Sequence, residues 1–334
     1  MTNIANVDLR LLRVFVAVAE CGGFSAAQAQ LNISQSTVSN HMLALEQRLR
    51  CRLCERGRAG FELTAEGQVV YDAAVRLFNS IEDFRNQTES LRGVLTGDLR
   101  IGIVDNTVTD PQTPIVEAIR LFSKRPNSVH IRMTIDPPMS LQRQLIGRQI
   151  DMAVLGYVQK VPNLRYQPLY VEHTALYCGD HHPLFGLAPE RIRLEDVQKF
   201  PFASRGYWRN EDAHRIGASS AATVDQMEAL LMLILSGAFI GYLPMHYAAR
   251  WVEEGRLRSL LEGELGYGSQ FLLVTRKGVR MTPLTKAFIE DLQAAIRNHE
   301  TDADAKSHRN IPGSRELQPL ADSAARRRQP VPVG

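Results

Sequence analysis

The chain has 334 residues, 44% of them apolar and 22% charged, the usage of an ordinary globular protein of two or three domains. That composition excludes a wholly disordered, collagen-like or disulfide-stapled chain. The formal charge of +3, from 39 basic and 36 acidic residues, gives taken whole no sign of a nucleic-acid partner. The first twenty residues carry Asp8, Arg10, Arg13 and Glu20, so they lack the apolar core of an export signal. The greasiest run, 229–243, is broken at Ser236-Gly237 and falls short of the ~20 residues a membrane span needs. Four cysteines without an export signal lead to the expectation of a cytoplasmic protein that meets no membrane.

The charge is unevenly spread. Residues 1–63 hold seven arginines and five acids, a net +2, and residues 64–96 hold three against five, a net −2. Arg48, Arg50, Arg52, Arg56 and Arg58 face only Glu55. The planar guanidinium fits phosphate, so this cluster is either a phosphate grip or a solvated basic loop, and its neighbours decide between them. Leu9, Leu12, Val16 and Ala19 recur at helical spacing until Gly22-Gly23 stops the helix. Ser25 followed by Gln28 reads as a capping box, with Phe24 at the staple position, for a short helix to Leu31. Asn32-Ile33 turn the chain, and Ser34 caps a third helix reaching about Leu49. On it Val38, Met42, Leu45 and Leu49 form one stripe, while Ser36, Asn40 and Gln47 lie opposite, flanked by Gln35 and Ser39. Uncharged hydrogen-bonding residues at the exposed N-terminal end of such a helix suit the reading of base edges in the major groove. The alternative is a helical hairpin with a polar outer face. Residues 52–63 then read as a short hairpin whose glycine-rich tip carries Arg56 and Arg58 towards phosphates or the minor groove. The segment 1–63 is predicted to be a winged helix-turn-helix.

At this point a resemblance is explicit. Asp8-Leu9-Arg10, Phe15-Val16-Ala17-Val18-Ala19-Glu20, Gly23-Phe24-Ser25, Leu31-Asn32-Ile33-Ser34-Gln35-Ser36-Thr37-Val38-Ser39, Leu45-Glu46, Arg52-Leu53-Cys54-Glu55-Arg56 and Leu63-Thr64-Ala65-Glu66-Gly67 resemble the DNA-binding domain of bacterial LysR-type transcriptional regulators. The resemblance implies that Gln35, Ser36 and Ser39 meet the groove and that Arg56 sits on the wing; Ser34, Thr37, Asn40, Arg52 and Arg58 complete the expected DNA-binding set. Gln28, Cys54 and Asn40-His41 stand where the family usually has alanine, phenylalanine and a basic residue. The C-x2-C formed by Cys51 and Cys54 lacks the second ligand pair of a zinc site, and Cys54 occupies an apolar position, so the reading is structural, with a redox pair as the alternative.

Residues 65–92 contain no proline and only Gly67, near the start. Val70, Leu77, Phe84 and Leu91 repeat every seven residues, with Ala74, Ile81 and Thr88 in the second seam position. A coiled-coil stripe on a helix of about 28 residues, roughly 42 Å long, follows. It packs either on the protein's own body or, preferably, on a second copy. The resemblance also implies pairing, giving a homodimer through the linker helix (64–92) that can extend to a tetramer.

Beyond Gly93–Gly97, strand-like and helix-like runs alternate: 99–104, 115–122, 129–135, 140–148 and 152–155, then strands near 174–178, 201–204, 239–242 and 271–275 and a helix over 283–296. The β-α-β-α-β order predicts a mostly parallel sheet. Gly97-Asp98-Leu99-Arg100-Ile101-Gly102, Gly147-Arg148-Gln149-Ile150-Asp151-Met152-Ala153, His182-Pro183-Leu184, Ser236-Gly237-Ala238 and Leu243-Pro244 are similar to the effector domain of the same family, which has a periplasmic-binding-protein-like fold. That implies a two-lobed domain over 97–296, with lobe one from 97–160 and 266–296, lobe two from 162–265, and crossings near Val161-Pro162 and near 263–268. A ligand between lobes at strand C-termini and helix N-termini would meet Asn106, Thr107, Ser140, Tyr157, Ser204, Arg205 and Thr223. Arg205 either holds a carboxylate or phosphate, which favours an organic anion as effector, or makes an interlobe ion pair.

Asp180-His181-His182 with Cys178 invites a metal reading, but adjacent histidines on a turn diverge, and no metal or cofactor is expected. No phosphate loop, Gly-x-Ser-x-Gly elbow or His-Glu-x-x-His is present in the sequence, which speaks against an enzyme. A solute-binding receptor would need an export signal. The tail 300–334, with Arg326-Arg327-Arg328, reads as disordered. The fold class expected is α/β: a winged helix-turn-helix, a long linker helix and a two-lobed effector domain. The partners expected are double-stranded DNA with an imperfect inverted repeat, a small-molecule effector and RNA polymerase.

Overall fold

The computed structural model describes residues 6–57, 60–89, 95–156, 159–206, 209–217 and 219–307. Three helices, α1 (Asn6–Glu20), α2 (Phe24–Leu31) and α3 (Gln35–Leu49), precede an antiparallel hairpin of β1 (Cys54–Gly57) and β2 (Gly60–Leu63). Their shared core contains Leu11, Phe15, Val18, Phe24, Ala27, Val38, Met42, Leu45 and Leu53.

Three local expectations need correction. The buried stripe of α1 is Leu11, Val14, Phe15 and Val18, while Leu9, Leu12, Val16 and Ala19 are half-buried. The helix is apolar on most sides, so periodicity alone mis-set its face by one or two positions. Gly23, not Ser25, precedes the first residue of α2, and no side chain caps that helix. The helix starts two residues earlier than expected, at Phe24, whose ring docks edge-on against Phe61 of the wing at 6.1 Å. Leu49 is 43% exposed, since the helix ends there and Arg50 leaves it in a left-handed conformation (φ 57°).

The long helix α4 (Ala65–Glu89) leaves the head through a tight junction. Thr64 Oγ1 accepts the Gly67 amide at 2.9 Å and donates to the Arg52 carbonyl at 2.7 Å, capping α4 onto the wing. A Cβ on Gly67 would lie 1.9 Å from the Leu53 carbonyl oxygen, so only glycine lets the helix pass this close. Val70 and Tyr71 pack against the head core, and Arg13 lies over the Phe78 ring at 5.5 Å. Further on, Asn79 Nδ2 donates to the Arg148 carbonyl at 2.6 Å, and Arg148 Nη1 donates to Ser80 Oγ at 3.0 Å. The linker is thereby bonded to the body.

The body runs β3 (Leu95–Ile103), α5 (Ile115–Ser123), β4 (Asn127–Ile135), α6 (Pro138–Ile146), β5 (Met152–Leu155), β6 (Leu164–Gly179), α7 (Leu194–Val197), β7 (Phe202–Arg205), α8 (Arg209–Ile216), β8 (Ser220–Val224), α9 (Met227–Leu235), β9 (Ile240–Pro244), α10 (Met245–Glu253), β10 (Leu257–Leu260), α11 (Glu262–Leu265), β11 (Tyr267–Arg276) and α12 (Pro283–Ser307). The strands lie in the order β4-β3-β5-β11-β6-β9-β7-β8, with β10 also on β6. β3 is parallel to β4 and β5, and β7 to β8 and β9, whereas β11 runs antiparallel to β5 and β6.

Two separate cores flank this sheet. One gathers Leu99, Ile101, Phe122, Leu141, Met152 and Phe288; the other side holds Leu176, Cys178, Phe202 and Ile240, beside a smaller cluster around Leu230 and Ile234. The chain crosses between them inside the paired strands β6 and β11, matched from Leu164 with Arg276 to Thr174 with Tyr267. The turns near Val161-Pro162 and 263–268, expected as crossings, lie at the ends of those strands. Long strands replace hinge loops because ladder hydrogen bonds satisfy the backbone across the seam. The Gly-Arg-Gln-Ile-Asp motif is explained by packing: Asp151 accepts Arg100 Nη2 at 2.7 Å and the Arg100 amide at 3.0 Å, both residues being buried.

The final helix continues through Ser307, so the first residues of the segment expected as a disordered tail are helical. Arg326-Arg327-Arg328 lie outside the described residues. Among the described residues no helix is long and apolar enough to cross a membrane.

Candidate nucleic-acid interface and interlobe cleft

Ser34 caps α3: its Oγ accepts the Thr37 amide at 3.2 Å and lies 2.8 Å from both Ser36 Oγ and Thr37 Oγ1. This cap fixes where the first turn begins and therefore which side chains face outward. Val38, Met42 and Leu45 are buried, while Ser34, Gln35, Ser36 and Asn40 are exposed and Thr37 and Ser39 are half-buried beside them. A rigid helix thus presents amide and hydroxyl groups around its positive N-terminal end, a surface suited to base edges and phosphate together.

Arg52 is exposed at the base of the wing. Arg56 belongs to β1, but its side chain lies outside the described residues, as does Arg58 altogether. The arginine run is less free than its count implied, because Arg48 forms an ion pair with Asp8 of α1. The wing is anchored instead by Glu46, whose Oε1 accepts the Leu53 amide at 2.8 Å. Cys51 and Cys54 form no disulfide and are half-buried against the head core.

A second site lies between the two cores of the body. Asp105 and Asn106, after β3, face Arg205 of β7 and the N-terminus of α9, with Thr174, Ser269 and Tyr267 of the crossing strands forming the floor. Arg205 Nη2 donates to Asp105 Oδ1 at 2.7 Å and to the Asp225 carbonyl at 3.1 Å, and Asp105 Oδ2 accepts the Met227 amide at 2.6 Å. One carboxylate of the first lobe therefore holds both a guanidinium and a helix N-terminus of the second. About 50 Å³ is open to the centre of a water molecule, so anything larger than a small metabolite requires the lobes to part.

Unmet polar atoms in the cleft mark where a ligand can bond. Asn106 stands in a left-handed conformation (φ 54°), and its buried Oδ1 has no hydrogen-bond partner among the described residues. The Tyr242 hydroxyl is in the same state, and burial pushes its pKa upward. Tyr267 donates to Asp212 Oδ1 at 2.9 Å under the Arg215 guanidinium, 4.1 Å from the ring centre; burial raises this phenol's pKa as well. Glu172, also in the lining, is raised by burial against the opposing effect of His246.

Of the residues expected to meet an effector, Asn106 and Arg205 line the cleft. Thr107 turns its hydroxyl to the Val104 carbonyl at 2.8 Å, Ser204 bonds Ser220 at 2.7 Å, and Ser140 lies 3.2 Å from Gln144 Nε2. Thr223 is exposed away from the lining, and Tyr157 lies outside the described residues. Of the two readings of Arg205, the interlobe ion pair is the one present. Asp105, Glu172 and Asp212 make the lining acidic.

Glu172 and Asp212 escaped sequence reasoning because they carry no motif, whereas Asp105 adjoins the expected Asn106 and Thr107. Glu172 alone left a trace, as an acid within the apolar β-like run Leu169–Tyr177 that has to be buried. His182, expected as part of a family turn, is buried against Phe200 with its Nδ1 accepting the Leu184 amide at 3.2 Å, and burial lowers its pKa. His181 points to solvent, and burial pushes the Cys178 thiol up to about 12.

A winged reading head joined by a helix to a two-lobed ligand receptor defines a ligand-responsive DNA-binding regulator. Residues 9–68 match the family described as bacterial regulatory helix-turn-helix protein, lysR family, and residues 92–297 match the LysR substrate binding domain. The chain is 39% identical over 290 residues to the HTH-type transcriptional activator BauR of Pseudomonas aeruginosa, covering 86% of this chain and 95% of the relative. It is 31% identical over 292 residues to the SDS degradation transcriptional activation protein of a Pseudomonas species, covering 84% and 94%. The crystal structure of CbnR, a LysR family transcriptional regulator, superposes with a TM-score of 0.62 at 20% identity over 86% of this chain and 99% of that one. CbnR complexed with its target DNA gives 0.61 at 21% identity, over the same shares. The chain belongs to the LysR family of transcriptional regulators and is a DNA-binding regulator with an effector-binding domain, not an enzyme.

Proposed function

We propose that this regulator works in the cytoplasm as a homodimer, extending to a tetramer, that binds an imperfect inverted repeat through paired α3 helices. A small molecule in the cleft around Asn106 changes the spacing of the two heads. The observation that carries this reading is the linker's double attachment. Gly67 locks α4 onto Leu53 of the head, and Asn79 and Ser80 bond it to Arg148 of the first lobe. A lobe that moves against its neighbour drags the helix, and the helix has no slack at the head. Two-fold DNA sites suit this geometry because two heads on one helix pair read two half-sites. Two relatives are named as activators, which supports activation through contact with RNA polymerase as the sense of the response.

The acidic lining and the committed Arg205 favour an effector that offers hydrogen-bond donors to Asn106 and Glu172 over a simple anion. The wing supplies the test of DNA engagement. Arg56→Ala is expected to weaken binding to all DNA sequences alike, several-fold, and to reduce the salt slope by about 1, read by fluorescence anisotropy at several salt concentrations. A mutant that loses sequence preference at an unchanged salt slope contradicts the wing's role as a phosphate contact.

A further inference from the structure

The Asp105–Arg205 clasp has a neighbour along the interlobe seam. Asp110, just after the short helical turn Thr107–Thr109, Glu172 of β6 and His246 of α10 each bring one ligating atom within 4.8 Å of the others. The imidazole is fixed by Nδ1, 2.8 Å from Thr109 Oγ1, so Nε2 faces the carboxylates, 3.0 Å from Glu172 Oε1 and 3.7 Å from Asp110 Oδ2. All three side chains are more than nine-tenths buried. Asp110 Oδ1 accepts the Gln112 amide at 2.8 Å, but its buried Oδ2, aimed at the cluster, has no hydrogen-bond partner among the described residues.

With both carboxylates ionised, these groups do not neutralise one another. A protonated imidazole leaves one negative charge in excess and a neutral one leaves two, and a buried charge without compensation is costly. Arg205 acts on Glu172 but is bonded to Asp105. A cation resolves the excess. One imidazole nitrogen and two carboxylate oxygens spaced this way suit an ion with bonds of about 2.0–2.2 Å. The mixed nitrogen and oxygen set favours a divalent transition metal over Ca²⁺ or Mg²⁺. Thr109 on Nδ1 supplies the outer hydrogen bond that orients such a histidine.

We propose that Asp110, Glu172 and His246 form an interlobe site for a divalent transition-metal ion of the Zn²⁺ type. Asp110 comes from the first lobe, His246 from the second and Glu172 from a strand crossing both, so the ion ties the lobes together beside the effector cleft. Metal supply then sets how readily the cleft opens.

Chelator-treated full-length protein is titrated with ZnCl₂ by calorimetry and with CoCl₂ by visible absorption. One ion per chain, a d–d spectrum of nitrogen and oxygen ligation and a raised thermal midpoint are expected. Asp110→Asn and His246→Gln each weaken binding at least about 100-fold while metal-free binding to DNA persists, which separates this test from that of DNA recognition. Should either variant misfold by circular dichroism, the wild-type cobalt spectrum and stoichiometry decide alone. Absence of stoichiometric binding by wild type overturns the proposal, and so does full binding in the folded variants. Stabilisation by simple alkylamines but not by metal ions also overturns it, reassigning the cluster to an organic ammonium.

Discussion

Asn40 stands one turn into α3, exposed, on the side opposite Val38, Met42 and Leu45. Its amide is free to pair with a base edge, and its removal leaves the head's core untouched. Asn40→Ala is therefore expected to cost about 1–3 kcal/mol of discrimination between specific and scrambled DNA with an unchanged thermal midpoint. Competition binding with both DNAs measures it, and an equal loss on the two would remove Asn40 from base reading. The exposed polar face of α3 was legible in the sequence because a buried stripe and a polar face fall within the fifteen residues of one helix, directly after its cap. The cleft was not. Asp105 and Arg205 lie 100 positions apart, and Asp110, Glu172 and His246 come from three separate stretches of chain. Only the pairing of β6 with β11 and the approach of the lobes bring them together, and no local pattern encodes that. Arg205 was singled out as a charge at a strand end, with an interlobe ion pair as one of its two readings, but its partner Asp105 carries no local signal.

At the scale of elements, α4 divides its heptad seam between tasks. Val70 packs on the head and Ala74 is buried, Leu77 and Ile81 are half-buried, yet Phe84 remains 69% exposed. A bare phenylalanine in register with a packed stripe fits a partner helix. Phe84→Glu is expected to shift the protein from dimer to monomer in multi-angle light scattering while its fold persists. An unchanged mass would place the dimer contact elsewhere. The heptads were readable from period alone, but the division of the seam depends on what α4 leans against. Leu91 lies outside the described residues. The junction with the head is stricter: Gly67→Ala forces a methyl group into the Leu53 carbonyl. A loss of about 1–3 kcal/mol in urea denaturation is expected, and an unaffected stability would mean that α4 can shift freely on the wing. The parallel strands of the first lobe were visible as apolar runs between helices. β8 and β10 were missed, being short and mixed in polarity, and so was the full length of β6, which is interrupted by Pro168.

For the whole molecule, a formal charge of +3 is an average over parts with opposed tasks. The head is basic, though Arg48 is paired with Asp8, and the linker segment is acidic. The same partition runs through the mechanics. A rigid reading helix, a linker bonded at both ends and two lobes held by Asp105, Arg205 and the Met227 amide make one connected path from cleft to DNA. Footprinting of the full-length protein on the DNA upstream of its own gene, repeated with a panel of small metabolites, tests that path most directly. The account predicts two protected half-sites, separated by whole turns of about 10 base pairs, whose spacing changes with one compound and no longer changes in Asp105→Asn. Protection without sequence limits, or a footprint that no compound moves, would contradict it.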